Sequence, residues 1–323
     1  MEKLRWGLIG CGDISRKRVA PAIKDLDQCE LVAVARANYT KAESFTKEFS
    51  AKRWYKEWQD LINDDEIDAV YLATPVYLHA EQTIAAAKAG KHVLCEKPMA
   101  LNAKYCERMI ETCKEHNVTL GVAYYRHFYP VINRVKEIIS SGEIGEPTVV
   151  EIQAFEWFDR KPGEPRYWLL EKEKSGGGPM MDFGCHRIEV LQHLFGKVKE
   201  IQSQLFNIHF NREVEDTAYV SLLFENNTQA IIRVTHAAYE ARDTLDIFGT
   251  KGSIHIPVLN GGAITIKTEK DERTENHPPN KNVHQPLIED FTNAVLENRT
   301  PVVNGYVGRE VNLILDDIYN RDA

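Results

Sequence analysis

Residues 4–15 read LRWGLIGCGDIS, and the way this stretch divides decides the fold. The apolar run Arg5–Gly10 has strand character, Gly10 and Gly12 interrupt it, and Asp13, Ile14 and Ser15 lead into a helical pattern over Ser15–Asp25. A strand that ends on Gly-x-Gly and turns directly into a helix is the first turn of a doubly wound βαβ unit. Gly10 permits the tight turn, Gly12 lets the backbone approach a pyrophosphate, and the helix N-terminus faces that charge with free N–H groups. The third position of the fingerprint is Ser15 instead of glycine.

Working outward, the pattern repeats. Strands are expected at Glu30–Ala35, Ala69–Thr74, His92–Glu96 and Thr119–Ala123, and LVAVA, AVYLAT and HVLCE read as strands buried on both faces. Helical stretches separate them at Tyr39–Phe49, Leu78–Ala89 and Asn102–His116, with Gly90 as a stop signal and Asn102 as an N-cap. In the last of these, Cys106, Met109, Ile110 and Cys113 recur at helical spacing.

Beyond residue 125 the grammar changes. A helix at Pro130–Ser141 ends in the turn cluster SSGEIGEP. Strand-like runs then follow one another at Thr148–Glu156, Val198–Asn207, Asp216–Phe224, Gln229–Thr235, Asp243–Phe248 and Ala263–Lys267, with a hairpin turn at Glu225–Thr228. Helices at Leu287–Asn298 and Gly305–Tyr319 close the chain. The expected architecture is α/β followed by α+β. A Rossmann domain with a doubly wound parallel sheet spans 1–122, and an α+β domain with a large, mostly antiparallel sheet spans 123–323, for substrate binding and oligomerisation.

Composition excludes several function classes. The 323 residues carry 40 Lys and Arg against 48 Asp and Glu, a net charge of −8, so no electrostatic footprint for nucleic acid exists. No apolar run approaches the ~20 residues that span a bilayer. The start, MEKLRWGLIG, passes straight into a strand pattern, and the six cysteines are scattered without metal-ligand spacing. A cytoplasmic protein without a metal is therefore expected.

Three clusters carry chemistry. The second strand ends VAVARAN, with Arg36, Asn38 and Lys41 where an NAD-binding fold places a carboxylate for the ribose 2′-OH. A guanidinium pairs with a 2′-phosphate instead, so NADP is expected as the cofactor, with NAD as the second choice. HVLCEKP puts Glu96, Lys97 and Pro98 at the carboxyl end of a parallel strand, where open α/β sheets bind ligands. In SGGGPMMDFGCHRIEVLQHLFG, residues 175–196, Asp182 and His186 stand one helical turn apart, and His186 lies opposite the apolar stripe Ile188, Leu191 and Phe195. The competing reading makes Asp182 a helix cap and His186 a solvated surface residue. Aromatic and arginine side chains in YYRHFYP (124–130) and EWFDRKPGEPRYWL (156–169) suit a sugar, and Arg126, Tyr167 and Trp168 are the foremost substrate candidates.

Together these residues resemble the Gfo/Idh/MocA oxidoreductases, the group of glucose–fructose oxidoreductase and inositol dehydrogenase. The resemblance runs through the GxGxx start, ATPVYLHAEQTIAAAKAGKHVLCEKPMA, the GGGPxxDxGxH segment and the order of elements. It implies a catalytic lysine at Lys97, often followed by a cis proline bond, and a catalytic pair at Asp182 and His186, all three also facing the substrate. Cofactor contacts are expected from Gly10, Gly12, Asp13, Ile14, Arg36, Asn38, Lys41, Thr74, Pro75, His79, Glu96 and Lys97. Two positions depart from the pattern: Val76 replaces a frequent asparagine, and Arg36 replaces the acid, as in NADP-using members. The implied reaction is hydride transfer between a nicotinamide and a hydroxyl or carbonyl carbon of a sugar, cyclitol or diol, in a homodimer or homotetramer. Two alternatives keep the fold: a glycosidase that retains its nicotinamide cofactor, and a non-catalytic NADP(H) sensor.

Overall fold

Six parallel strands build the first sheet of this computed structural model, which describes residues 3–320. They are β1 (Leu4–Ile9), β2 (Cys29–Ala35), β3 (Arg53–Tyr55), β4 (Ala69–Leu72), β5 (His92–Cys95) and β6 (Leu120–Val122), in the order β3-β2-β1-β4-β5-β6. The near-continuous apolar runs are buried throughout: Val32 to Val34, Val70 to Leu72 and Val93 to Cys95 are all solvent-inaccessible. Strand order reverses between β1 and β4, so the glycine turn after β1 meets the turn after β4, where doubly wound sheets bind their ligands. β3 is absent from the sequence reading because three residues, RWY, carry no periodicity.

Residues up to Tyr125 pack with Asn280–Asn312 as one unit, while Arg126–Pro279 and the chain from Leu313 form a second. This differs from a single division at 122/123, because residues 280–312 return to the parallel sheet. Phe291, in the helix Gln285–Leu296, packs on Trp6 of β1 with ring centroids 5.5 Å apart, and Cys29 Sγ lies 3.2 Å from Thr292 Oγ1. Val122 N donates to Val303 O at 3.0 Å. Residues 1–2 and 321–323 of the two expected domains lie outside the described residues.

The second unit is an eight-stranded sheet. Its strands are β7 (Pro147–Trp157), β8 (Val198–Phe206), β9 (Thr217–Phe224), β10 (Gln229–Thr235), β11 (Ala237–Gly249), β12 (Gly252–Ile256), β13 (Ala263–Thr268) and β14 (Glu272–Asn276), in the order β14-β13-β12-β11-β7-β10-β9-β8. All neighbours are antiparallel except β7 and β10. The turn expected at Glu225–Thr228 joins β9 to β10, with Asn227 in the left-handed region at φ 66°. Along β9, Ala218, Val220, Leu222 and Phe224 face a core that the helices Pro130–Ser141 and Cys185–Phe195 complete; Phe195 packs on Phe224 at 5.5 Å. β11 is longer than its sequence pattern suggests, and its pairing with β7 breaks between Ala237 and Arg242, leaving Tyr239 97% exposed. Among the described residues, no helix is long and apolar enough to cross a membrane.

Candidate active site

In the first unit, the candidate cofactor site is the turn between β1 and the following helix. Gly10 has φ +97°, and a Cβ there would sit 2.6 Å from Ala73 O, so only glycine fits against the end of β4. At Gly12 a Cβ would meet no atom within 4 Å, so the backbone there is open to a ligand. Ser15, in place of the third glycine, is fully buried, and its hydroxyl donates back to Gly10 O, so the serine is part of the turn. The open cradle, the following helix N-terminus and an adjoining guanidinium fit a dinucleotide. Arg36 Nη1 donates to Cys11 O, which holds the guanidinium against this turn.

Other candidates are placed differently. Asn38 is occupied in capping the helix Tyr39–Phe49, accepting from Lys41 N at 3.0 Å, and the Lys41 side chain is exposed. Asp13 is exposed and 3.7 Å from Lys17, Ile14 is half-buried, and Thr74 Oγ1 donates to Gln82 Oε1 at 2.6 Å, ahead of the half-buried Pro75. His79 is buried with Nε2 2.9 Å from Thr74 O and Nδ1 3.0 Å from Pro98 O. Both ring nitrogens thus face main-chain carbonyls, and His79 braces two loops.

At the end of β5, Glu96 is buried. Tyr71 OH donates to its Oε1 at 2.8 Å, Lys97 N to its Oε2 at 3.2 Å, and His284 Nε2 lies 3.5 Å from Oε1. Burial alone would raise the Glu96 pKa, but His284, Lys97 and Tyr71 together hold it below the usual carboxylate range. An ionised carboxylate therefore fixes the main chain at Lys97, whose bond to Pro98 is cis. The His284 ring stacks on Tyr125 at 4.5 Å between centroids.

The Asp-x-x-x-His motif belongs to the other unit. Asp182 belongs to a π-helical turn, Met180–Gly184, that runs directly into the helix Cys185–Phe195 carrying His186. Asp182 Oδ2 accepts from Arg166 Nη2 at 3.0 Å. Arg166 holds a left-handed backbone conformation, φ 68°, uncommon outside glycine. His186 lies opposite the apolar stripe as expected, yet it is only 2% exposed, because residues 185–191 of the helix are buried without a break. Solvation was therefore the wrong alternative for it.

Among the substrate candidates, Arg126 is buried and lines a cavity of about 720 Å³ together with Glu156, Phe183, Arg187 and Asp243. Tyr167 and Trp168, both half-buried, pack on the apolar cluster Phe158, Leu169, Leu170 and Val214. Arg187, absent from the sequence reading, is buried and ion-paired with Asp243.

The comparisons with known proteins agree with this geometry. Residues 4–124 match the GFO/IDH/MocA description "Oxidoreductase family, NAD-binding Rossmann fold", and residues 132–255 match the GFO/IDH/MocA C-terminal domain. A protein named as an oxidoreductase from Formosa agariphila is 32% identical over 291 residues, 89% of each chain. A D-xylose 1-dehydrogenase [NADP(+)] from Haloarcula marismortui is 30% identical over 266 residues, 78% of this chain and 72% of that one. The solved structure of a levoglucosan dehydrogenase in complex with NADH and levoglucosan superposes with a TM-score of 0.89 at 25% identity, over 98% of this chain and 96% of the other. The glycine turn, the Glu-Lys-Pro strand end and the Asp-x-x-x-His helix thus belong to a member of the Gfo/Idh/MocA family of NAD(P)-dependent oxidoreductases.

Proposed function

We propose that the protein is an NADP-preferring dehydrogenase or reductase acting on a neutral sugar, cyclitol or diol. The observation that carries the cofactor preference is Arg36, a guanidinium held against the glycine turn where NAD-specific folds present a carboxylate. When bound, a nicotinamide dinucleotide supplies the ring carbon that accepts or donates the hydride. Gly10 and Gly12 would hold its pyrophosphate and Arg36 its 2′-phosphate.

The remaining chemistry falls to side chains of this chain. Oxidation of an alcohol requires its hydroxyl proton to leave, and His186 Nε2 takes that role because imidazole is the group best matched to neutral pH. Lys97 places a positive charge beside the developing alkoxide, and the carboxylate of Glu96 fixes the main chain that carries it. Asp182, oriented by Arg166, accepts from a substrate hydroxyl. In the reductive direction His186 returns the proton.

The reading extends to a homodimer or homotetramer, supported by the outer face of β9, where Thr217, Tyr219, Ser221 and Leu223 are half-buried opposite the core. A cytoplasmic setting is supported by six buried cysteines, all with free thiols. The test is a panel of polyols and keto-sugars read by NADPH and NADH absorbance. Wild type should prefer NADP, and Arg36→Asp should reverse the preference. Lys97→Ala and His186→Ala should each lose at least about 100-fold in kcat while NADPH still binds. An unchanged preference in Arg36→Asp, or full turnover in either alanine variant, would remove the corresponding assignment.

A further inference from the structure

Gly177 and Gly178, just ahead of the Asp182 turn, lie against two residues from elsewhere in the second unit. A Cβ at Gly177 would overlap the phenol ring of Tyr319, and one at Gly178 the main-chain carbonyl of Glu215, so neither position admits a side chain.

The close approach serves a set of hydrogen bonds. The buried Glu215 carboxylate accepts from Gly178 N at 2.8 Å through Oε2 and from Met180 N at 3.2 Å through Oε1. Tyr319 OH donates to the same Oε1 at 2.7 Å and accepts from Met181 N at 3.2 Å. Asp182 N donates to Gly178 O at 3.0 Å. The first three N–H groups of the π-helical turn, on Met180, Met181 and Asp182, are thus all engaged. Met180 and Met181 are buried, so their donors are served by these two side chains instead of by bulk water.

Both anchors are themselves fixed. Arg212 Nη2 donates to Glu215 O and to His236 Nδ1, each at 3.0 Å. The neighbouring Asp216 carboxylate accepts from Ile208 N at 3.0 Å, His209 N at 2.7 Å and Phe210 N at 2.8 Å. Ser203 Oγ of β8 donates to Ile318 O at 3.1 Å, and Ile318 is fully buried, which ties the end of the helix Gly305–Asn320 to the sheet. The π-helical turn runs without a break into the helix of His186, so a slip at Met180 and Met181 carries through to Asp182 and His186 together.

We propose that Glu215 and Tyr319 are positioning residues, which fix the start of this turn and thereby the placement of Asp182 and His186. The catalytic consequence rests on the dehydrogenase reading above; the anchoring of the turn does not.

Two variants of the full chain test it. Tyr319→Phe keeps the ring and removes the hydroxyl. Glu215→Gln keeps the shape, but either orientation of its amide sets an N–H against that of Gly178 or of Met180. Hydrogen exchange, read by mass spectrometry with residue-level fragmentation, should quicken at Met181 in Tyr319→Phe and at Gly178 and Met180 in Glu215→Gln. The ring signals of His186 should shift in histidine-labelled NMR. Turnover is followed on the polyol and keto-sugar panel, D-xylose and myo-inositol among its members. There kcat should fall about tenfold or more in each variant, with KM and NADPH affinity unchanged, the pattern of lost transition-state placement. A lower melting temperature with wild-type kcat would mark a cap that serves stability alone, and would overturn the proposal. Unchanged exchange together with unchanged His186 signals would overturn it as well. Tyr319→Phe, the milder change, decides the matter if Glu215→Gln does not fold. Wild type inactive on the whole panel removes the dehydrogenase reading, and exchange and the His186 signals still decide the anchoring. Active wild type with exchange and His186 signals indifferent to both variants removes the anchoring alone.

Discussion

Gly10 and Gly12 are equivalent letters in the sequence, but they fill different roles. At Gly10 a side chain would collide with the carbonyl of Ala73 in a left-handed backbone, so the residue serves the turn itself. At Gly12 the fold has room for a methyl group, and only a ligand would object. Gly12→Ala should therefore keep its urea stability within about 0.5 kcal/mol and lose at least tenfold in NADPH affinity by fluorescence titration. Wild-type affinity in that variant would place the pyrophosphate elsewhere. Legibility at this scale followed sequence proximity. Lys97, Asp182 and His186 announce themselves because each sits in a short motif at the end of one element. Tyr71, Glu156, His236 and His284 carry no local signal. Glu156 and His236 are 80 positions apart, and their meeting depends on the parallel pairing of β7 with β10, which no short pattern encodes. Tyr167 and Trp168 show the converse: aromatics suit a sugar and an apolar cluster equally well, and the sequence does not reveal that these two pack on one.

Elements were most legible where periodicity and punctuation coincide. The helix Ala103–Glu115 shows both: Cys106, Met109, Ile110 and Cys113 are buried along one face, and Asn102 Oδ1 accepts from Tyr105 N at 3.0 Å. The cap closes one of the donors that a helix start leaves unpaired. Asn102→Ala should cost about 1 kcal/mol in urea unfolding, with no change in nucleotide affinity because the helix start is remote from the glycine turn in sequence and function. A cost of zero would mean that water serves Tyr105 N equally well. Strands without that coincidence escaped. β14, ERTEN, is an edge strand whose charges discourage further pairing, so its polarity reads as loop. β11 begins before its apolar alternation, since the break in pairing after Ala237 removes the period-2 pattern over residues 238–241. The return of residues 280–312 to the parallel sheet is illegible for a related reason: the helix Gln285–Leu296 presents an ordinary apolar face, and its contacts with Trp6 and Cys29 identify what it covers.

At the scale of the whole molecule, two histidines, the buried His236 and the half-buried His193, should set the response to mild acid. His236 and His193 are held neutral, each with a pKa pulled down to about 3; burial is the first cause in both, and for His193 the neighbouring His127 and Lys136 add to it. In the unfolded chain each titrates near 6.5. Between those values the unfolded state binds more protons than the folded one, so stability rises with pH across this window and is lost as pH falls from about 6.5 toward 3. At pH 5 each histidine should account for roughly 2 kcal/mol of lost stability relative to pH 8. Glu156, Glu189 and Glu215 oppose this trend: burial raises their pKa values, so acidification relieves them. The net curve therefore mixes both signs, and the histidine share is isolated by difference. His193→Phe keeps a ring against His127, where the native centroids are 3.7 Å apart, and removes the titration. Its unfolding free energy should fall by about 2 kcal/mol less than that of wild type between pH 8 and pH 5. Denaturant unfolding at several pH values measures this directly. Parallel curves for the two proteins would mean that His193 is already protonated in the folded state, and that the acid sensitivity of the second unit originates in its carboxylates.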